Sequence, residues 1–223
     1  MDMYEFLRLR GVTRLCHFTK LRGLTHILSS GEGILASSSI RSDIKDMTDT
    51  ERYDGELEYI CCSVEYPNSW FLDRAKRENR DKIFKDWCVL YLDLNILKSR
   101  DAKCCPCNAS TQHGRYIGNS VRELFADTVS CKRTYRRTRG MLDCCPTDGQ
   151  AEILIKDNIP RECITGITVG NEEEAKMVYA MMKTLGVSLK PIYIAPTILT
   201  PEWSDIIHRG ERPCENLCVW EEE

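Results

Sequence analysis

The chain has 223 residues, 42% hydrophobic and 29% charged, with a formal net charge of −3. That balance is globular and excludes a disordered chain or a coiled coil; the length fits one large domain or two small ones. No apolar run approaches the roughly 18 residues of a membrane span, and Met1 to Gly11 carries Asp2, Glu5, Arg8 and Arg10 where a signal peptide needs an unbroken apolar core.

Thirteen residues are cysteine, an odd number. Disulfide scaffolds are shorter and richer in cysteine, so the expectation is a cytoplasmic protein with free, mostly packed thiols. Cys104 and Cys107 form a C-x-x-C pair that Cys144-Cys145 or Cys214 and Cys218 could complete into a zinc site. Structural zinc modules show two clean pairs at regular spacing, so no metal is expected.

Along the chain, Arg14 to Phe18 reads as a short strand. Leu21 to Leu28 reads as a helix with Leu21, Leu24, Ile27 and Leu28 at helical spacing, stopping at Gly31. Ser37 to Gly55 is polar and reads as loop with some helix. Tyr59 to Tyr66 is strand-like and ends at the turn signal Pro67-Asn68. Trp70 to Trp87 fits a helix of about four turns. Cys88 to Leu94 is a strand with Val89, Tyr91 and Asp93 on one face and Cys88, Leu90, Leu92 and Leu94 on the other. A short helix over Asn119 to Asp127 puts Val121, Leu124 and Phe125 together. Strands follow at Ala151 to Ile155 and Ile164 to Val169. Glu172 to Leu185 is an amphipathic helix with acidic residues in its first turn and Gly186 after its last, and Val187 to Ile194 closes the series as a strand. This pattern is α+β with a mixed sheet, and no Gly-rich Rossmann or Walker loop is present.

Lys132, Arg133, Arg136, Arg137 and Arg139 place five positive charges in eight residues around Tyr135, while the remainder of the chain sums to −8. Clustered Lys and Arg suit phosphate contacts, and an aromatic among them can stack on an unpaired base; a solvated loop would have the same composition. Turn residues Gly140, Pro146 and Gly149 mark the segment as a loop leading into the strand that begins Gln150-Ala151-Glu152. On that strand Ala151, Ile153 and Ile155 form an apolar face, and Glu152 lies on the other with Gln150 and Leu154.

These residues resemble the DarT family of nucleic-acid ADP-ribosyltransferases, the toxin halves of bacterial toxin–antitoxin pairs. The matching pieces run in family order: Cys16-His17-Phe18-Thr19 with the following helix; Arg52-Tyr53-Asp54-Gly55; Ile60 to Tyr66 with Pro67-Asn68; Trp87 to Asp93; Cys107-Asn108-Ala109-Ser110; Glu123 to Asp127; and Gln150 to Ile155 with Ile159-Pro160. The Ser-Val-x-Tyr-Pro-Asn form is closer to the guanosine-modifying branch than to the thymidine-modifying one.

The resemblance implies a single ADP-ribosyltransferase domain over 1–223, with a core at 14–195, a basic acceptor loop at about 131–149 and a C-terminal tail at 196–223. It implies NAD as co-substrate and transfer of ADP-ribose to a base, guanine, in single-stranded DNA. Glu152 and Arg52 would be catalytic. His17, Phe18, Thr19, Arg52 and Tyr66 would bind NAD, with Tyr66 stacking on nicotinamide and Arg41 a rival for the arginine role. Lys132, Arg133, Tyr135, Arg136, Arg137, Arg139 and Asn108 would bind nucleic acid, Ser110 would line the acceptor side, and Trp87 is read as core. A cognate macrodomain ADP-ribose hydrolase is the expected antitoxin partner. RNA or protein as acceptor, or a non-catalytic Cys-rich nucleic-acid binding module, are the alternatives. Cys16 and His17 are not expected to act together, because neighbours on a strand face opposite ways.

Overall fold

The computed structural model describes residues 1–40, 53–78 and 86–220. In chain order it begins with α1 (Met3–Leu9), β1 (Leu15–Lys20), α2 (Leu21–Ser29), β2 (Ile34–Leu35), β3 (Tyr59–Val64), α3 (Ser69–Glu78) and β4 (Trp87–Leu92). Then come β5 (Ala102–Cys105), β6 (Thr128–Ser130), β7 (Thr134–Arg136), β8 (Glu152–Lys156), β9 (Asn158–Ile159) and β10 (Ile164–Val169). The chain ends with α4 (Glu172–Leu185), β11 (Ile192–Ile194), α5 (Trp203–His208) and β12 (Asn216–Leu217).

Eight strands form one mixed sheet in the order β12-β11-β10-β4-β1-β3-β8-β5, parallel only between β10 and β11. β4 is buried along its whole length, as a central strand covered on both faces must be. Its alternation divides the two layers. Cys88, Leu90 and Leu92 join the main core beneath α2, α4 and α5, while Trp87, Val89 and Tyr91 pack with Leu72 and Ala75 of α3. The sequence pattern predicts these faces. The helix predicted from Trp70 to Trp87 is shorter, because Trp87 is the first residue of β4. The short helix around Val121 is a 3₁₀ turn (Val121–Phe125) that buries the three predicted residues.

Helix ends follow local chemistry. Asp2 and Glu5 form a reciprocal cap on α1, with Glu5 N–H donating to Asp2 at 2.7 Å. Asn171 accepts the Glu174 N–H at 2.9 Å to start α4, and Gly186 at φ 63° ends it in the left-handed region.

The segment 196–220 is no loose tail. Trp203 and Ile207 of α5 lie in the main core, and β12 closes the sheet edge. Arg212 donates to the buried Glu65 carboxylate at 2.8 Å, and Glu215 accepts from both Arg14 and the Tyr91 hydroxyl (2.9 and 2.7 Å). The Arg14–Glu215 pair is mostly shielded from water (16% and 18% exposed), so this segment is part of what keeps β1 against β3 and β4. Among the described residues no helix is long and apolar enough to cross a membrane.

Candidate active site

The sheet is split at one place. β1 pairs with β4 over six residues, Leu15 to Lys20, but with β3 only at Leu15↔Val64 and Cys16↔Ser63. Beyond that point β1 and β3 diverge. His17 spans the opening, with its Nδ1 3.0 Å from the Cys61 carbonyl. A carbonyl only accepts, so Nδ1 carries a proton.

The gap opens into a cleft of about 470 Å³, within the range of small-molecule sites. One wall is β1 and α2, contributing His17, Phe18, Thr19, Gly23 and His26. The next is the segment 29–40, which brings serine hydroxyls at Ser29, Ser30, Ser37 and Ser39. The third comprises β3, β8 and the loop after β5, with Ser63, Glu152, Asn108 and Ser110.

Glu152 sits in this wall by register. Tyr91, Cys16, Ser63, Glu152 and Cys105 form one row across five strands, so Glu152 is two strands from β1 at the level where the sheet parts. It is 6% exposed, and the Ala109 N–H donates to its Oε2 at 2.7 Å. The Asn108 amide lies 3.5 Å from Oε1, oriented by Ser110, whose N–H donates to Asn108 Oδ1 at 3.1 Å. A charge-assisted bond to a backbone N–H holds the carboxylate in one rotamer, and a rigid strand holds the backbone beneath it.

The structure brings His17, Phe18, Thr19, Asn108, Ser110 and Glu152 to the same cleft. Arg52 and Arg41 lie outside the described residues. Tyr66 is not at the cleft: it is 1% exposed, packed 5.2 Å from the Trp203 ring and under the Arg14 guanidinium. The turn at Glu65, at φ 63°, swings the chain inward after β3, so Tyr66 enters the core. Phe18, Tyr59 and Phe71 line the cleft instead, with Phe71 edge-on to Phe18 at 5.9 Å. Phe71 lies in the Trp70 to Trp87 segment, whose helical pattern gives it no functional mark. Asp54 and Ser63 also line the cleft, and no spacing signal distinguished them. Cys16 is 1% exposed and burial pushes its thiol up to about 12, so it is no nucleophile for His17 to activate.

The basic segment is a ribbon rather than a loop. β6 and β7 pair antiparallel, Thr128↔Arg136 through Ser130↔Thr134, with Cys131, Lys132 and Arg133 at the turn. Tyr135 pairs with the buried Val129 and shares its inward face, whereas Arg136 lies on the exposed face; the aromatic and the cation do not form one surface. Arg137 is not available to a ligand either. It donates to the Cys145 and Leu142 carbonyls at 2.7 and 2.6 Å, with its side chain 11% exposed. Lys132, Arg133, Arg136 and Arg139 remain exposed. The ribbon adjoins the cleft wall through Cys131, which packs against the cluster that holds Cys107, next to Asn108. Cys104 packs in the main core and Cys107 in the cluster on the opposite face, and no group of three or more metal-binding side chains occurs among the described residues.

The model of the family described as "ssDNA thymidine ADP-ribosyltransferase, DarT" matches residues 16–203. The chain belongs to the DarT family. DarT of Thermus sp. 2.9 in complex with ADP-ribosylated ssDNA has a TM-score of 0.63 at 14% identity, over 84% of this chain and 96% of that one. The same protein in complex with NAD+ gives 0.57 at 15%, over 83% and 96%. Thermosipho africanus DarTG in complex with ADP-ribose gives 0.54 at 15%, over 84% of this chain and 51% of that chain. At these identities the structures share the DarT fold, mixed sheet and short helices included. No curated protein sequence matches.

Proposed function

We propose that this chain transfers ADP-ribose from NAD to a base of single-stranded DNA, the base being guanine, with release of nicotinamide. The observation that carries the reading is the buried Glu152, fixed by the Ala109 N–H at the split of the sheet, in one cleft with His17. The family match and the NAD+ and ADP-ribosylated ssDNA complexes of Thermus DarT support it.

In this mechanism the nicotinamide–ribose bond breaks and positive charge develops on the ribose. A preorganised carboxylate beside that carbon stabilises the charge where it forms, and needs no reorganisation during the step. His17 hydrogen-bonds a ribose hydroxyl and fixes the sugar. Phe18 and Phe71 enclose the nicotinamide end, and the serine hydroxyls of 29–39 suit the polar remainder of NAD. The base nitrogen attacks the ribose carbon, its N–H proton passes to Glu152, and nicotinamide leaves. Arg52 is assigned to the diphosphate or to holding Glu152 and the acceptor, since a guanidinium fork matches either oxyanion. An unstacked base is required, because a carboxylate buried this deeply cannot reach one within a duplex.

Guanine is favoured by the Ser63-Val64-Glu65-Tyr66-Pro67-Asn68 sequence, although the family's description names thymidine. The biological setting proposed is a toxin of a toxin–antitoxin or phage-defence system, countered by a macrodomain ADP-ribose hydrolase. Mass spectrometry of single strands containing only guanine or only thymine as candidate acceptor, incubated with NAD, tests the choice. One ADP-ribose on the guanine strand alone is the expected result, and modification of the thymine strand alone replaces guanine in this reading. Growth arrest relieved by a co-expressed macrodomain hydrolase tests the biological role; arrest that persists removes that partner.

A further inference from the structure

We infer that Tyr53 and His113 form a stacking platform at the rim of the cleft for a base flanking the modified nucleotide. This deepens the acceptor reading above and rests on it. Their rings meet edge-to-face at 5.8 Å and 73°. Both are exposed, Tyr53 at 50%, so the pair contributes little buried area to the fold. Asp54, next to Tyr53, and Ser110, three residues before His113, line the cleft, while the two rings stand outside it.

The loop 108–118 is built to hold this arrangement. Gln112 and His113 are non-glycine residues in the left-handed region (φ 50° and 56°), a conformation that surrounding structure must enforce. Gly114 follows at φ 80°, and a Cβ there would lie 2.7 Å from the Asp54 carbonyl oxygen. Only glycine lets the loop press this closely on the Tyr53-Asp54 segment, and that approach brings the rings together. The mouth of the loop is closed by paired backbone bonds between Cys104 and Gly118, both 2.8 Å. Arg115 is exposed on the same loop, and the ribbon with exposed Lys132 and Arg133 joins this part of the molecule through Cys131, which packs in one cluster with Cys107, Tyr116 and Ile117. An aromatic face beside clustered positive charge is the recognition chemistry of single-stranded nucleic acid. The platform lies outside the cleft, so its base is a neighbour of the one modified, and stacking accepts any base there.

The test uses fluorescent single strands with one guanine and an abasic residue placed in turn on its 5′ or 3′ side, with binding read by anisotropy. Tyr53→Ala is expected to weaken binding of the intact strand about 5- to 150-fold, the range for losing one stacked base, and Tyr53→Trp to retain it. With the unmodified protein, one abasic position is expected to cost the same factor, and Tyr53→Ala adds nothing to that loss. The abasic arm needs no variant to fold. Unchanged binding by Tyr53→Ala, no effect of either abasic position, or losses that multiply would each overturn the platform. Tyr53-dependent binding without any ADP-ribose transfer would instead sustain the platform and overturn the enzymatic reading.

Discussion

The strand that carries Glu152 and the ribbon that carries the positive charge are fifteen residues apart in the chain, and they are built in opposite ways. β8 is paired on both edges, by β3 and β5, and its residues Glu152 to Ile155 are buried. The ribbon of β6 and β7 has three residues per strand, with exposed side chains at Thr128, Ser130, Thr134 and Arg136. A group that must meet a developing charge to within a fraction of an ångström belongs on the first kind of element. Charges that gather phosphates act through water over a Debye length and tolerate the second. The comparison therefore assigns chemistry to one region and capture to the other, and each variant below is chosen to break that division.

The largest effect is expected at Glu152. Glu152→Gln keeps size and an oxygen for the Ala109 N–H but removes the negative charge. ADP-ribose transfer in single-turnover assays should fall about 10³-fold, the upper end for removing one preorganised electrostatic group. A loss smaller than tenfold would mean that the rigid region does not hold the catalyst.

The next effect separates two adjacent arginines. Arg137 is a rivet between the ribbon and the 142–145 loop, and Arg136 is exposed. Arg137→Ala should cost about 2–3 kcal/mol of unfolding free energy in urea titrations, the scale for losing hydrogen bonds from a charged donor. Arg136→Ala should stay within about 0.5 kcal/mol. Equal costs would erase the distinction between rivet and capture charge.

Composition could not have made that distinction. Lys132 to Arg139 reads as one basic run, and nothing in the run says which cation faces carbonyls of the following loop. The same limit explains Tyr66: an aromatic after a strand looks ready to stack on a ligand, but the left-handed turn at Glu65 turns it inward. Patterns with a physical period were legible. The two faces of β4, the acidic start and glycine stop of α4 and the apolar face of β8 all follow from alternation or from end chemistry. The pairing of β1 with β3 was not, because a sheet that parts after two residue pairs leaves no periodic trace, and β5, α5 and β12 are too short or too mixed in character to announce themselves.

The connection between the two regions offers a smaller effect with a defined pH window. Asp148 is 4% exposed, and burial pushes its carboxyl up to about 6, opposed by the Gln150 N–H that donates to it at 2.9 Å. Above pH 6 the group is charged in both folded and unfolded chains, and the fold bears the full cost of desolvation. As pH falls from about 6 to about 4, the folded carboxyl takes its proton first and the fold gains stability. Asp148→Asn retains an acceptor for Gln150 and removes the charge. It should stabilise the protein by about 2 kcal/mol at pH 7.5 and by almost nothing at pH 4. A gain independent of pH would place its origin in packing.

The smallest effects belong to the ribbon's exposed charges, and they are visible only against salt. Each Lys or Arg that meets a phosphate displaces a condensed counterion from the strand, so the logarithm of affinity falls with the logarithm of salt concentration by about 0.7 per contact on single strands. Lys132→Gln, Arg133→Gln and Arg136→Gln should each lower that slope by about 0.7 in anisotropy titrations, and the three together by about 2. Arg137→Ala should leave it where it is, because a guanidinium already spent on two carbonyls contributes no counterion release. A slope that drops with Arg137 and not with Arg136 would reverse the roles, and would require the 142–145 loop to open when the strand binds.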